Sequence, residues 1–320
     1  MAPRLWPDRE APAGERLAFL AGGLEESLGV RERAWAHVPG EPFRHGDEES
    51  SIDLAFEAGR AALEDARLDA GDLALVLVST STPARMTSTL SAQVGARLGA
   101  NRAACMDLRT GCAAGLFALT TAAMYVDAGA GPVLLVGAET FSKVIPPSYK
   151  PAVVALGDGA GALVLEKAER GGLRSAFLAT DGTLGKLVAT EGGLPPTHEA
   201  IDAGDYLLSG DSEGLATTLP TKYLEAIKGA LARAGVSPAE IDLYVPHQTS
   251  LPLIRAVAAT AGIADERTFV NVHRHANIGA AGFIVALAEA RSEGRLPDRG
   301  RVLLAAVGGG MSWASAVLET

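Results

Sequence analysis

Cys112 stands in the run Asp107-Leu108-Arg109-Thr110-Gly111-Cys112-Ala113-Ala114-Gly115, and its neighbours make it a candidate nucleophile. An apolar strand ends, a glycine makes the turn, and an alanine-rich helix opens at or just after the cysteine. Small side chains permit a sharp elbow and close approach of a substrate. A thiol at a helix amino end sees the positive end of the macrodipole, which favours the thiolate and covalent catalysis. The alternative is a buried structural cysteine. Cys105, in the apolar approach to the elbow, is expected to be one.

Two further side chains can complete such a site. His247 follows an apolar run in Tyr244-Val245-Pro246-His247-Gln248-Thr249-Ser250, at the carboxyl end of an expected parallel strand, where catalytic groups of open α/β sheets gather. Asn277 lies in His273-Arg274-His275-Ala276-Asn277-Ile278-Gly279-Ala280-Ala281-Gly282, just before another alanine-rich helix. The bland alternatives are a satisfied polar histidine and a plain helix N-cap. His273 and His275 have no metal-ligand spacing and are expected to be structural. Leu156-Gly157-Asp158-Gly159-Ala160-Gly161-Ala162 precedes an apolar strand, not a phosphate-binding helix, so it is expected to be a tight turn between strands. Val307-Gly308-Gly309-Gly310-Met311-Ser312-Trp313 can aim backbone N–H groups into the site.

The elements that must position these groups repeat along the chain. Ala62–Thr82 and Ala230–Ser250 both read as a helix end, a turn, an acidic residue and an apolar strand. Their acidic residues, Asp72 and Glu240, are offset by 168 (240 minus 72). Ala113-Ala114-Gly115 and Ala280-Ala281-Gly282 open helices that end near Gly129 and Gly294, ahead of strands at Val133–Val136 and Val302–Val307. Strands are also expected at Leu73–Val78, Gly161–Leu165 and Leu243–Val245. Short, wholly apolar strands alternating with helices imply mainly parallel sheets covered on both faces. The chain therefore divides into a cysteine-bearing half, 1–168, and a half carrying His247 and Asn277, 169–320, in a layered α/β architecture. Residues 182–214 are expected to form a loop-rich insertion over the site.

Composition narrows the function. Of 320 residues, 48% are apolar and 21% charged, which is globular. A net charge of −10 argues against a nucleic-acid binder. Two cysteines make neither a disulfide framework nor a four-cysteine zinc site. No signal-peptide pattern or membrane-length apolar run occurs, so a reducing cytoplasm is expected.

Taken with the Gly-Asp-Gly-Ala-Gly-Ala turn, the Val-Pro-His-Gln motif and the terminal Gly-Gly-Gly-x-x-Trp, the chain resembles the ketoacyl-acyl-carrier-protein synthase III family from Gly29 onward. The resemblance implies the thiolase-like fold, a duplicated five-layered αβαβα architecture, and a homodimer. It implies acyl transfer to Cys112, then decarboxylative condensation with a malonyl thioester. His247 and Asn277 would hold the enolate, and the backbone N–H groups of Cys112 and Gly309 the oxyanion. Substrates would be thioesters of acyl carrier protein or coenzyme A, with no metal or redox cofactor. The alternative on this scaffold is transfer to a hydroxyl or amine acceptor without condensation.

Departures from the family pattern carry their own expectations. The usual opening apolar strand with a Gly-x-Gly turn is missing. Ala21-Gly22-Gly23-Leu24-Glu25-Glu26-Ser27-Leu28 lacks the Trp and Arg that clamp coenzyme A in housekeeping members, and Lys150 replaces a further Arg. Met86 and Thr87 stand where acetyl-specific members carry a gating Phe, which implies a longer or unusual starter. Basic residues for carrier-protein docking are sparse, namely Arg255, Lys222 and Lys228. By analogy these point to a specialised pathway such as polyketide initiation rather than routine fatty-acid initiation.

Overall fold

The computed structural model describes residues 22–43, 46 and 48–320. The missing opening strand concerns residues 1–21, outside the described residues. Among the described residues, the apolar runs form two four-stranded sheets. In the first, β1 (Leu75–Ser79) lies between β2 (Ala104–Leu108) and β3 (Val133–Glu139), all parallel, and β4 (Gly159–Leu165) runs antiparallel beside β3. In the second, β8 (Leu243–Pro246) pairs parallel with β9 (Arg301–Gly308). There β9 pairs antiparallel with β10 (Ser312–Glu319), and β10 with β5 (Gly172–Thr180). A two-stranded ribbon of β6 (Val188–Ala189) and β7 (Ser209–Gly210) lies in the insertion.

The duplication is visible element by element. Helix α3 (Ala114–Asp127) and helix α9 (Gly282–Ser292) begin 168 residues apart (282 minus 114). The same offset separates β1 from β8 (243 minus 75) and β3 from β9 (301 minus 133). A parallel bridge between Tyr244 and Thr268 stands on β8 where β2 stands on β1. Among the described residues, β5 has no counterpart beside β4, whose residues are all partly exposed.

Period-two alternation sorts the strand side chains between layers. Leu75, Leu77, Val133 and Leu135 face a core shared with Leu116 and Leu119 of α3 and Phe283 and Ile284 of α9. Val245, Leu304 and Ala314 of the second sheet close the other side of that core. Val76, Val78, Leu134 and Val136 face outward, onto α1 (Ser51–Ala66) and α2 (Leu90–Leu98). Tyr244, Leu303 and Val307 face α6 (Ser212–Ala234) and α7 (Leu251–Thr260). The stacking is helix, sheet, helix, sheet, helix: the five-layered thiolase-like fold. Because α3 and α9 are covered on both sides, their sequences are small and apolar nearly all round.

One expected turn is different. The Leu156–Ala162 run does not join two strands: Leu156, Gly157 and Asp158 link the short helix α4 (Lys150–Ala155) to β4, whose first half is Gly159–Ala162. Pro151 sits in the first turn of α4, where its missing N–H costs nothing. Asp158 accepts from Ala36 N at 2.8 Å and Ser142 N at 2.9 Å, tying three loops together. Short helices α5 (His198–Ala203) and α8 (Val272–His275) precede α6 and α9 in the chain.

Candidate active site

The duplicated βα units bring Cys112, His247 and Asn277 to one cavity of about 670 Å³, which Gly309 also lines. Cys112 stands between β2 and α3, and Gly111 makes the elbow with φ +59°. The loop after β9 presses directly on it. A Cβ added to Gly308 would lie 2.2 Å from Cys112 N, and one on Gly111 would lie 2.5 Å from Gly309 N. Only glycine allows these two backbones to touch, and the contact carries Gly309 beside the elbow.

Burial sets the resting charge of the thiol. Loss of solvation, and then the nearby Glu139 carboxylate, push Cys112 up to about 12; its own backbone N–H and the Asn277 side chain pull the other way. The expected thiolate at the helix amino end is therefore overruled by desolvation in the free protein.

His247 continues β8, its N–H donating to Ala305 O at 2.7 Å. The residue is 1% exposed, and among the described residues neither ring nitrogen has a partner. Burial lowers its pKa to about 4, so the imidazole is neutral at pH 7. Gly282, the first residue of α9, leaves room for the ring: a Cβ there would stand 2.8 Å from Nδ1. The amino end of α9 thus faces Nδ1, a field that favours a lone pair there and the proton on Nε2.

Asn277 is not the N-cap of α9, because the turn Gly279–Ala281 intervenes and Ala281 takes that position. Its backbone is strapped across to the cysteine half: Asn277 N donates to Ala155 O at 2.9 Å and Asn277 O accepts from Gly157 N at 3.0 Å. Its Oδ1 accepts from Gly279 N at 2.9 Å, which leaves Nδ2 to donate to the Cys112 thiol. Ala276 before it has φ +57° and ψ −155°, a conformation costing about 1–3 kcal/mol for a non-glycine residue.

Other expected groups fall elsewhere. Cys105 packs against Gly95, apart from the site, and burial raises its pKa. His275 binds Glu289 at 2.6 Å. Met86 is 67% exposed, Thr87 is also exposed, and neither lines the cavity of its own chain. Arg255 pairs with Asp265 at 3.2 Å; Lys222 lies over the Trp313 ring at 3.9 Å and pairs with Glu225. The insertion does cover the site, contributing Val188, Thr190 and Leu208 to the cavity wall. Sequence reasoning missed Glu139, which is 0% exposed at the carboxyl end of β3. An acid closing an otherwise apolar parallel strand was the available signal. Among the described residues, no helix is long and apolar enough to cross a membrane.

Comparison with known proteins points to one family. Residues 231–320 match the family model for the carboxyl-terminal part of 3-oxoacyl-[acyl-carrier-protein (ACP)] synthase III, and residues 106–182 match a second model of that enzyme. The β-ketoacyl-[acyl-carrier-protein] synthase III of Brucella anthropi is 35% identical over 308 residues, spanning 92% of this chain and 90% of the relative. The solved synthase III of Thermus thermophilus is 33% identical with a TM-score of 0.84, covering 98% of this chain and 96% of its own. The priming β-ketosynthase of the R1128 polyketide pathway is 27% identical with a TM-score of 0.83, covering 92% and 86%.

Proposed function

The chain belongs to the β-ketoacyl-[acyl-carrier-protein] synthase III family of acyl-transferring condensing enzymes, and from that premise we propose decarboxylative condensation centred on Cys112, His247 and Asn277. The observation that carries this reading is the meeting of a cysteine elbow, a neutral buried imidazole and an asparagine amide on one cavity. Cys112 sulfur attacks an acyl thioester carbonyl, and its proton leaves with the departing thiol. The backbone N–H groups of Cys112 and Gly309 hold the oxyanion. A malonyl thioester then loses carbon dioxide, and the electron pair of the broken bond passes to its carbonyl oxygen, held by His247 Nε2–H and Asn277 Nδ2. The enolate carbon attacks the acyl-Cys112 carbonyl. A 3-oxoacyl thioester forms, and Cys112 leaves and takes a proton from solvent. Transfer to a hydroxyl or amine acceptor would leave Asn277 without an enolate to stabilise, so condensation is favoured.

The site depends on the bare backbone at Gly308. Gly308→Ala is expected to slow acyl loading of Cys112 about 100-fold, because a displacement of about 1 Å suffices for such a loss. Initial rates by intact-protein mass spectrometry check this; an unimpaired variant would show that the contact is not needed.

The acting unit is proposed to be a homodimer. The outer edge of β2 is unpaired among the described residues, with Ala104 and Asp107 exposed, and an open edge is a template for a second strand. The segment carrying Met86 and Thr87 leads into α2, whose first N–H groups donate to Asp107 on that edge. Met86 and Thr87 would then gate the partner's cavity.

The donor is proposed to be an acyl carrier protein carrying a starter longer than acetyl, in a specialised pathway such as polyketide initiation, though coenzyme A thioesters fit the same chemistry. Apolar walls from Phe141, Val144, Leu156 and Leu215 support a longer chain. Each buried methylene adds about 0.8 kcal/mol. Acyl donors of increasing length, on carrier protein and on coenzyme A, followed by malonyl carrier protein, test the proposal. Expected are faster loading of Cys112 from carrier protein and a 3-oxoacyl product by mass. Acetyl-coenzyme A as the best donor would mark an ordinary fatty-acid initiator. A transferred but unextended acyl group would mark an acyltransferase.

A further inference from the structure

Glu139 is buried in the wall between the two halves, and among the described residues no cation pairs with it. Its carboxylate instead sits in a cage of donors. Ser81 N donates to both oxygens at 3.0 Å, Thr82 Oγ1 to Oε2 at 2.7 Å and Thr80 Oγ1 to Oε2 at 3.3 Å. From the other half, Ala280 N donates to Oε1 at 3.3 Å. The two hydroxyls are oriented by bonds of their own: Thr80 Oγ1 accepts from Thr82 N at 3.0 Å, and Thr82 Oγ1 from Thr140 N at 2.8 Å. Their protons are therefore free to point at Glu139, so the cage suits an anion. The side chain also packs on the bare face of Gly279, where a Cβ would lie 2.9 Å from Glu139 Cγ and Oε1.

We propose that Glu139 is a positioning residue of this site: caged by donors from both halves, its carboxylate registers the Gly279–Ala281 turn that follows Asn277 against the cysteine half and, through that turn, brings a negative charge near Cys112. The proposal rests on the roles given above to Cys112 and Asn277. Gly279 links the two effects, since its N–H holds Asn277 Oδ1 while its α-carbon faces Glu139. The neighbouring buried carboxylate, Asp158, comes just before Gly159, the residue opposite Glu139, and is held by Ala36 N and Ser142 N. His247 and the Tyr223 phenol are held neutral by burial, and Arg109 is exposed at the cavity wall. While it is charged, this anion favours the protonated Cys112 thiol. Burial raises Glu139 itself to about 7, so the charge is present above that pH and withdrawn below it.

Two variants and two readouts test this. Glu139→Gln keeps the shape and removes the charge; the amide oxygen can face Ala280 N, while its NH₂ can donate to the hydroxyls. Iodoacetamide alkylation of Cys112 should run about tenfold faster in Glu139→Gln than in wild type at pH 8.5, because removing the nearby anion lets the thiolate form more readily. The difference should close below about pH 7, where wild-type Glu139 takes up its proton. Glu139→Ala should lose malonyl decarboxylation about 100-fold while slowing acyl loading less than tenfold, and Glu139→Gln should restore decarboxylation to within a few-fold of wild type. Equal alkylation of wild type and Glu139→Gln at every pH would overturn the electrostatic part. Equal loss of loading and decarboxylation in Glu139→Ala, not restored by Gln, would overturn the positioning part. Alkylation needs neither acyl donor nor malonyl group, so a failure of the condensation reading is seen separately, as wild-type enzyme that alkylates but gives no 3-oxoacyl product.

Discussion

Cys112→Ser is expected to end covalent acyl loading at neutral pH, with loss on the order of 10⁴-fold or more, the scale on which removing a nucleophile acts. A serine hydroxyl needs a base to become nucleophilic, and this site has no strong one. His247 is depressed to about 4 by burial, and neither ring nitrogen is oriented by a carboxylate among the described residues. Glu139 is committed to its donor cage. A thiol tolerates that poverty better, because sulfur is intrinsically nucleophilic and its proton can follow the departing thiol. Even with the thiol pushed up to about 12, sulfur stays the easier nucleophile, because a serine hydroxyl in the same place would be harder still to ionise. Intact-protein mass spectrometry with the preferred acyl donor should show an adduct on wild type and on Cys105→Ser, and none on Cys112→Ser. An adduct on Cys112→Ser at the wild-type rate would place the nucleophile elsewhere.

What could be read from the sequence, and what could not, follows from the range of each interaction. β1, β3, β8 and β9 are buried on both faces, so they stand out as apolar runs, and their constant spacing exposed the duplication. β5 and β10 were not read as strands, since Leu173-Arg174-Ser175 mixes classes and Ser312-Trp313-Ala314-Ser315 is small and polar. Local chemistry was legible: Gly111-Cys112 does form an elbow, and Val307-Gly308-Gly309 does meet it. The charge state of Cys112 was not legible. The helix dipole is a property of adjacent residues, whereas desolvation and Glu139 come from strands brought in by folding. Asn277 shows the same limit. Its neighbours left a plain cap of the following helix open as the alternative, but its backbone bonds go to Ala155 and Gly157, more than a hundred residues away. Met86 and Thr87 were assigned to a cavity gate, and in the single chain they face outward.

Asn277→Ala is expected to separate the two halves of the reaction: acyl loading of Cys112 stays within about tenfold of wild type, while malonyl decarboxylation falls about 100- to 1,000-fold, the usual cost of removing one donor from a developing oxyanion. The separation follows from where the amide points. Its Oδ1 is held by Gly279 N, so Nδ2 is delivered to the cavity beside Cys112, where the malonyl carbonyl would lie. During loading, charge would develop instead on the oxygen facing the proposed Cys112 and Gly309 N–H donors, and Asn277 would give only its weaker bond to the thiol. Backbone position should survive the change, because the straps to Ala155 O and Gly157 N do not involve the side chain. His247→Ala should likewise depress decarboxylation, with some added effect on loading. Neither substitution should abolish the cysteine adduct. Single-turnover measurements divide the steps: acyl adduct by intact mass, then carbon dioxide release from labelled malonyl carrier protein. An equal fall in both steps for Asn277→Ala would mean that the residue acts only as a structural brace for the turn that precedes α9. Decarboxylation undiminished in either variant would remove that donor from the enolate and leave the oxyanion to the other alone.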